Sequence, residues 1–154
     1  MLRVRADDPN HPAAADALFL LGDSLFHAGD YLGARSRFRQ VLDRANDPTM
    51  RPYIQRSLGR LIEIAIHIRD FEGVDAYFQQ LSRLPPTEVE ATTAYFRAKY
   101  LYSRAVPEEQ ELREAGTGTL DQQQQTFAPG AQVDLATLEQ SRQAFEAVPQ
   151  GSPY

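Results

Sequence analysis

The feature that most constrains this chain is a segment that recurs with a fixed spacing. Gly29-Asp30-Tyr31-Leu32-Gly33-Ala34, continuing to Phe38 and Val41, reappears 40 residues later as Arg69-Asp70-Phe71-Glu72-Gly73-Val74, continuing to Phe78 and Leu81. Each copy places an Asp where a helix would be capped, an aromatic at the helix entry, and a Phe seven residues further on. Ala34 and Val74 stand four residues before that Phe, one turn away on the same face, where a small or β-branched residue lets another helix approach. A fixed period of this length marks a repeat architecture, in which neighbouring units bury one another's apolar faces.

The local pattern between these anchors is helical. Leu18, Leu21, Leu25 and Ala28 recur at three- and four-residue spacing, as do Leu58, Leu61, Ile62, Ala65 and Ile66. Strand-like alternation is absent, so the expected fold class is all-α. Asn10 ahead of His11-Pro12 suits a helix start. Thr87-Glu88-Val89-Glu90 has capping-box spacing, and Pro85-Pro86 stops the helix before it. A third copy is split. Residues 17–26 match residues 93–102 at offset 76, whereas Leu138, Ser141, Phe145 and Val148 match Tyr31, Ala34, Phe38 and Val41 at offset 107. The two offsets differ by 31, which measures an insertion at about 106–133. That segment is rich in Glu, Gln, Gly and Thr, includes Gln122 to Gln125, and is expected to be flexible. The predicted pairs are 12–45, 53–84, and 88–105 with 134–148, in one domain over 1–149. Phe38, Phe78 and Phe145 are expected in the core.

These residues resemble the tetratricopeptide repeat (TPR) family over about residues 12–105 and 134–149. The first copy carries the likeness best, through Leu18, Leu21-Gly22, Leu25, Gly29-Asp30-Tyr31, Ala34 and Phe38. The second has Ile62 where Gly22 stands and Arg69 in place of the turn glycine, and its spacing exceeds the family's period of roughly 34. The resemblance implies a solenoid of about three antiparallel helix pairs, with first helices lining a concave groove. On that surface it implies a binding stripe of Phe19, Asp23, Phe26, Glu63, Tyr95, Lys99 and Tyr102. Aromatic rails with interspersed charges suit a bound helix or extended peptide. The basic set that the family's carboxylate-binding members use is not matched, because Lys99 stands against Asp23 and Glu63.

Chemistry-bearing patterns are scarce. The chain has no cysteine, which removes thiol nucleophiles, disulfides and Cys-ligated metals. No Gly-rich phosphate loop, Walker motif, zincin or nucleophile-elbow pattern occurs. His27 and His67 are also 40 apart, at equivalent repeat positions, and read as repeat-position side chains rather than metal ligands. The expected function is therefore non-catalytic: a protein-interaction module or assembly scaffold for a protein or peptide, with no cofactor and no metal. The alternatives are a structural segment of a longer array, with function elsewhere in the parent chain, and a helical enzyme. Residues 1–69 hold ten Arg and eight acids, a balance of +2, while residues 70–154 hold six basic and thirteen acidic residues, a balance of −7. That distribution argues against nucleic acid, which needs clustered positive charge. No apolar run is long enough for membrane insertion. Fifteen of sixteen basic residues are Arg, as a GC-rich bacterial genome would encode. Met1-Leu-Arg-Val-Arg lacks a signal peptide's apolar stretch, which favours a cytoplasmic over a periplasmic setting. After Val148, the run Pro149 to Tyr154 reads as a helix stop with no polar capping element. A fragment of a larger protein, or self-association through the open C-terminal repeat end, is expected from it.

Overall fold

The computed structural model describes residues 13–84, 86–106 and 133–148. Among them the protein is all-α: α1 (Ala14–His27), α2 (Tyr31–Asp43), α3 (Arg51–His67), α4 (Val74–Leu81), α5 (Pro86–Ala105) and α6 (Leu135–Glu146), with a 3-10 turn at Pro48–Met50 and no strand. The chain divides into two compact units, residues 1–93 and 94–154. None of the described helices is long and apolar enough to cross a membrane.

In the first unit α1 and α2 form an antiparallel hairpin. Phe26 meets Tyr31 near the turn and Phe19 meets Phe38 further along, so the partners diverge in number. Gly29 takes φ of 81° in that turn, a value glycine adopts without strain. Asp30 then caps α2, its side chain accepting from the Gly33 amide at 2.9 Å. Gly22 permits the close approach: a Cβ there would lie 2.9 Å from the Phe38 ring. Phe38 and Ala34 are fully buried, clustered with Phe19, Leu61 and Ile64.

The second hairpin, α3 and α4, stacks on the first in parallel register. Along α1 and α3, Phe19 meets Tyr53, Asp23 meets Arg60, and Phe26 meets His67. Along α2 and α4, Arg35 reaches Asp70 just ahead of α4 and Arg39 reaches Tyr77. First helices thus lie beside first helices, and second beside second. The additional residues between the copies form the turn that Asp47 caps, its carboxylate accepting from the Thr49 amide and hydroxyl at 2.9 and 2.7 Å. This turn buries Met50 with Ala15 and Val41.

Several expectations are corrected. Asp70 does not cap α4. Arg69 holds the left-handed turn with φ of 51°, Gly73 adds a second left-handed residue at 76°, and the helix starts only at Val74. Phe71 therefore precedes the helix, and Asp70 instead accepts from Arg35 at 2.6 Å. Helix α1 starts at Ala14 behind Ala13, with no side-chain cap; Asn10 to Pro12 lie outside the described residues. Helix α5 already begins at Pro86, ahead of Thr87, and a first-turn Pro loses no helical hydrogen bond there.

In the second unit the end of α5 and α6 form an antiparallel hairpin. The Asp134 amide donates to the Ala105 carbonyl at 2.9 Å, so both ends of the inserted segment meet. Residues 107–132, most of the segment expected to be flexible, lie outside the described residues. Asp134 caps α6 through the Ala136 and Thr137 amides, both at 3.1 Å. Ser141 is buried and donates to the Ala98 carbonyl at 2.8 Å. Offsets 76 and 107 carry Gly22 and Ala34 onto Ala98 and Ser141, so small residues set the close approach in both hairpins. Phe145, expected in the core, is instead 43% exposed, because no described helix covers α6 as α3 covers Phe38. Phe78 is only partly buried.

Candidate functional site

The sequence-predicted stripe divides between the two units. In the first unit, helical spacing on α1 puts Asp23, Phe26 and His27 on the side that faces α3. From α3, Arg60, Glu63 and His67 come forward at the matching heights. Arg60 is the centre. Its Nε donates to Asp23 Oδ1 at 2.9 Å and its Nη1 donates to Glu63 Oε2 at 2.8 Å. The guanidinium also lies over the Phe26 ring, 4.6 Å from its centroid. Partial burial opposes the charge on Arg60, but the hydrogen bond to Glu63 and the negative charges of Asp23 and Glu63 outweigh it and hold the group above its usual range.

Aromatic rings enclose the other sides of Phe26. Its edge contacts are His27 at 5.5 Å, Tyr31 at 5.6 Å and His67 at 5.9 Å. Tyr31 and His67 are stacked, with centroids 4.9 Å apart and planes 6° from parallel. His27 Nε2 is 3.5 Å from Asp23 Oδ2. Both histidines are exposed while Phe26 is half-buried, giving a surface with an aromatic floor and a polar rim. Arg60 answers two carboxylates, so with neutral histidines the cluster carries one net negative charge. A basic or uncharged ligand suits it better than an acidic one. Among the described residues no three His, Asp or Glu side chains gather to hold a metal ion.

Phe19 is placed differently from the expectation. It is buried in the core between Phe38 at 5.7 Å and Tyr53 at 5.1 Å, with Arg56 over its ring. Its ring area serves packing and offers a ligand no anchor. Arg60 and Tyr31 are components that the predicted stripe omitted. The one local signal for Arg60 is its three-residue spacing from Glu63; its partnership with Asp23 spans 37 positions and follows only from stacking the hairpins.

In the second unit Tyr95, Lys99 and Tyr102 share one face of α5. Lys99 Nζ lies 5.9 Å from the Tyr95 centroid, and Tyr95 also meets Phe96 and Phe145 edge-on. Tyr102 is half exposed.

A concavity of about 560 Å³ lies along α2 between Leu32, Arg35, Ser36, Arg39, Gln40, Asp43 and Asp70. Its arginines have partners already: Arg35 donates to Asp70 and Arg39 to the Tyr77 hydroxyl. The Arg35 guanidinium beside Asp70 holds that carboxyl below the usual carboxylate range. These bonds tie α2 to the second hairpin.

No protein-family model, curated protein or solved structure matches this chain.

Proposed function

We propose that the chain is a TPR-like helical-repeat module that binds a protein or peptide partner without catalysing a reaction, and that the α1–α3 face is its principal contact surface. The observation that carries this is the box around Phe26: Asp23, Arg60 and Glu63 on one side, with Tyr31, His27 and His67 on the other. Aromatic and Arg side chains held rigidly in a half-buried setting make good anchors, because little rotamer freedom is lost on binding. The acidic rim favours an extended or helical peptide with an apolar anchor flanked by a basic residue. In the second unit, Tyr95, Lys99 and Tyr102 offer a separate aromatic rail to such a partner.

Selection from a random peptide library on the full chain tests this reading. Selected peptides should combine an apolar residue with Lys or Arg. Phe26→Ala should then weaken binding by about 2 kcal/mol or more, the usual cost of truncating an interface anchor. Glu63→Gln should weaken it less and reduce its salt dependence. Gln40→Ala on α2 should leave it unchanged. Peptides that bind the Phe26→Ala protein as tightly as the parent would sink the assignment.

A further inference from the structure

Among the described residues, the chain repeats the register of one of its own interfaces in two halves that no described helix covers. At offset 40, Ala17, Leu21, Ser24 and Ala28 of α1 correspond to Ser57, Leu61, Ile64 and Ile68 of α3. On α3 this stripe packs against α2. Leu61 and Ile64 are 1% and 0% exposed in one cluster with Ala34 and Phe38, and Ile68 packs against it. On α1 no described helix covers the equivalent stripe: Leu21 is 43% exposed, and Ser24 and Ala28 are exposed. The stripe carries no charge, which is unusual for a solvent-facing surface. At offset 107, Ser141 and Phe145 of α6 correspond to Ala34 and Phe38 of α2. Phe38 is fully buried under α3, whereas Phe145 is 43% exposed. Helix α1 therefore repeats the α3 half of the α2–α3 junction, and α6 repeats the α2 half.

We propose that a second copy of this chain mates these halves, α6 of one copy receiving α1 of the next as α2 receives α3. A second copy is the occupant because both halves belong to one sequence, and the α2–α3 junction inside the first unit supplies the register in which they would mate. The contact is heterologous, so it extends into chains of copies rather than closing as a two-fold dimer. It needs only the repeat register, not the peptide-binding reading, because Asp23 and Phe26 lie on another side of α1 and remain free.

Sedimentation velocity of the full chain over a range of about 1 µM to 1 mM, which brackets weak and moderate affinities, tests the proposal. The parent protein should grow in mass with concentration beyond the dimer. Leu21→Glu and Phe145→Glu should each remain monomeric alone. Mixed, they should form a one-to-one dimer and stop, because each retains the half that the other has lost. Far-ultraviolet CD and melting of each variant check that the fold is kept. If Phe145→Glu unfolds the hairpin, Phe145→Ala with Ser24→Glu repeats the mixing test without a charge beside α5. A parent protein that stays monomeric throughout, because its own ends or nothing at all cover the stripe, overturns the proposal. So does association that survives both substitutions, or a mixture that remains monomeric.

Discussion

Replacing Gly22 by Ala separates two opposing effects whose sizes the structure supplies. Ala is favoured over Gly in a helix interior by about 1 kcal/mol, so an unconstrained site would gain stability. At Gly22, however, the new Cβ would stand 2.9 Å from Phe38 Cε1, 3.1 Å from Cζ and 3.2 Å from the Arg37 Cβ. Carbon atoms pack best at about 3.5–4.0 Å, so all three distances are too short. The Phe38 ring cannot simply swing away, because it is fully buried and held against Phe19. Overpacking of this kind costs about 1–3 kcal/mol, so the net effect of Gly22→Ala should be a loss of about 1 kcal/mol. On a Phe38→Leu background the ring atoms are gone and the helix-propensity gain should reappear. The resulting cycle should show a coupling of about 1–2 kcal/mol, well above the few tenths by which independent sites depart from additivity. Urea unfolding followed by far-ultraviolet CD gives each corner, provided the slope stays constant between variants. If Gly22→Ala stabilised both backgrounds equally, α1 and α2 would not be as close as described, and the repeat register built on that approach would fail.

Other positions test the same register. Phe38→Ala should cost about 3–5 kcal/mol as a buried ring, whereas Phe145→Ala, at 43% exposure, should cost far less in dilute monomer; equal losses would contradict the difference in cover. Arg69→Gly should raise stability by about 1 kcal/mol, the relief of a left-handed residue that bears a Cβ, in thermal melts of the otherwise unchanged chain. Asp30→Ala should cost about 0.5–2 kcal/mol as a lost helix cap; Asp70→Asn should cost less, because Asp70 holds an ion pair and caps no helix. The hydrogen bond from Arg142 lowers the carboxyl of Glu139 from 4.5 to about 2, with Gln143 assisting. A carboxyl whose folded value is depressed stabilises the protein above its unfolded value and loses that contribution as pH falls through the folded one. The melting temperature should therefore decline between about pH 4.5 and 2, and Glu139→Gln should flatten that decline.

The all-α class and the hairpin register were legible because they depend on local spacing. The offsets 40, 76 and 107 identify which residues are equivalent, and the buried Gly22 and Ala34 of the first hairpin map onto the buried Ala98 and Ser141 of the second. Helix termini were less legible. Asp30 and Asp70 stand at equivalent places of the repeat, yet only Asp30 caps a helix. The deciding residues lie to either side of Asp70: Arg69 must bear the left-handed conformation that Gly29 takes freely, and Gly73 adds another before α4 begins. Capping is settled by a few backbone angles, which a repeat word does not fix.

The candidate site was half legible, for a different reason. Sequence spacing places Asp23 and Phe26 on one side of α1, and Glu63 at the equivalent height of α3, but it leaves open what lies between them. Two carboxylates on adjacent helices would repel one another and call for a cation. Arg60 supplies it from the position that Leu20 occupies in the first copy. The repeat is broken there because α1 and α3 face different neighbours. Leu20 is 63% exposed on a helix with no described neighbour on that side, whereas Arg60 lies between two acids and over an aromatic ring. The same asymmetry accounts for Phe19, whose counterpart on α3 is Gly59. A ring on one helix and no side chain on the other cannot build matched rails, and the ring turns inward to fill the space against Phe38 and Tyr53. Positions that agree between copies therefore report the scaffold. Positions that disagree, as Leu20 does with Arg60 and Phe19 with Gly59, report what each copy contacts, and it is there that the surface acquires its chemistry.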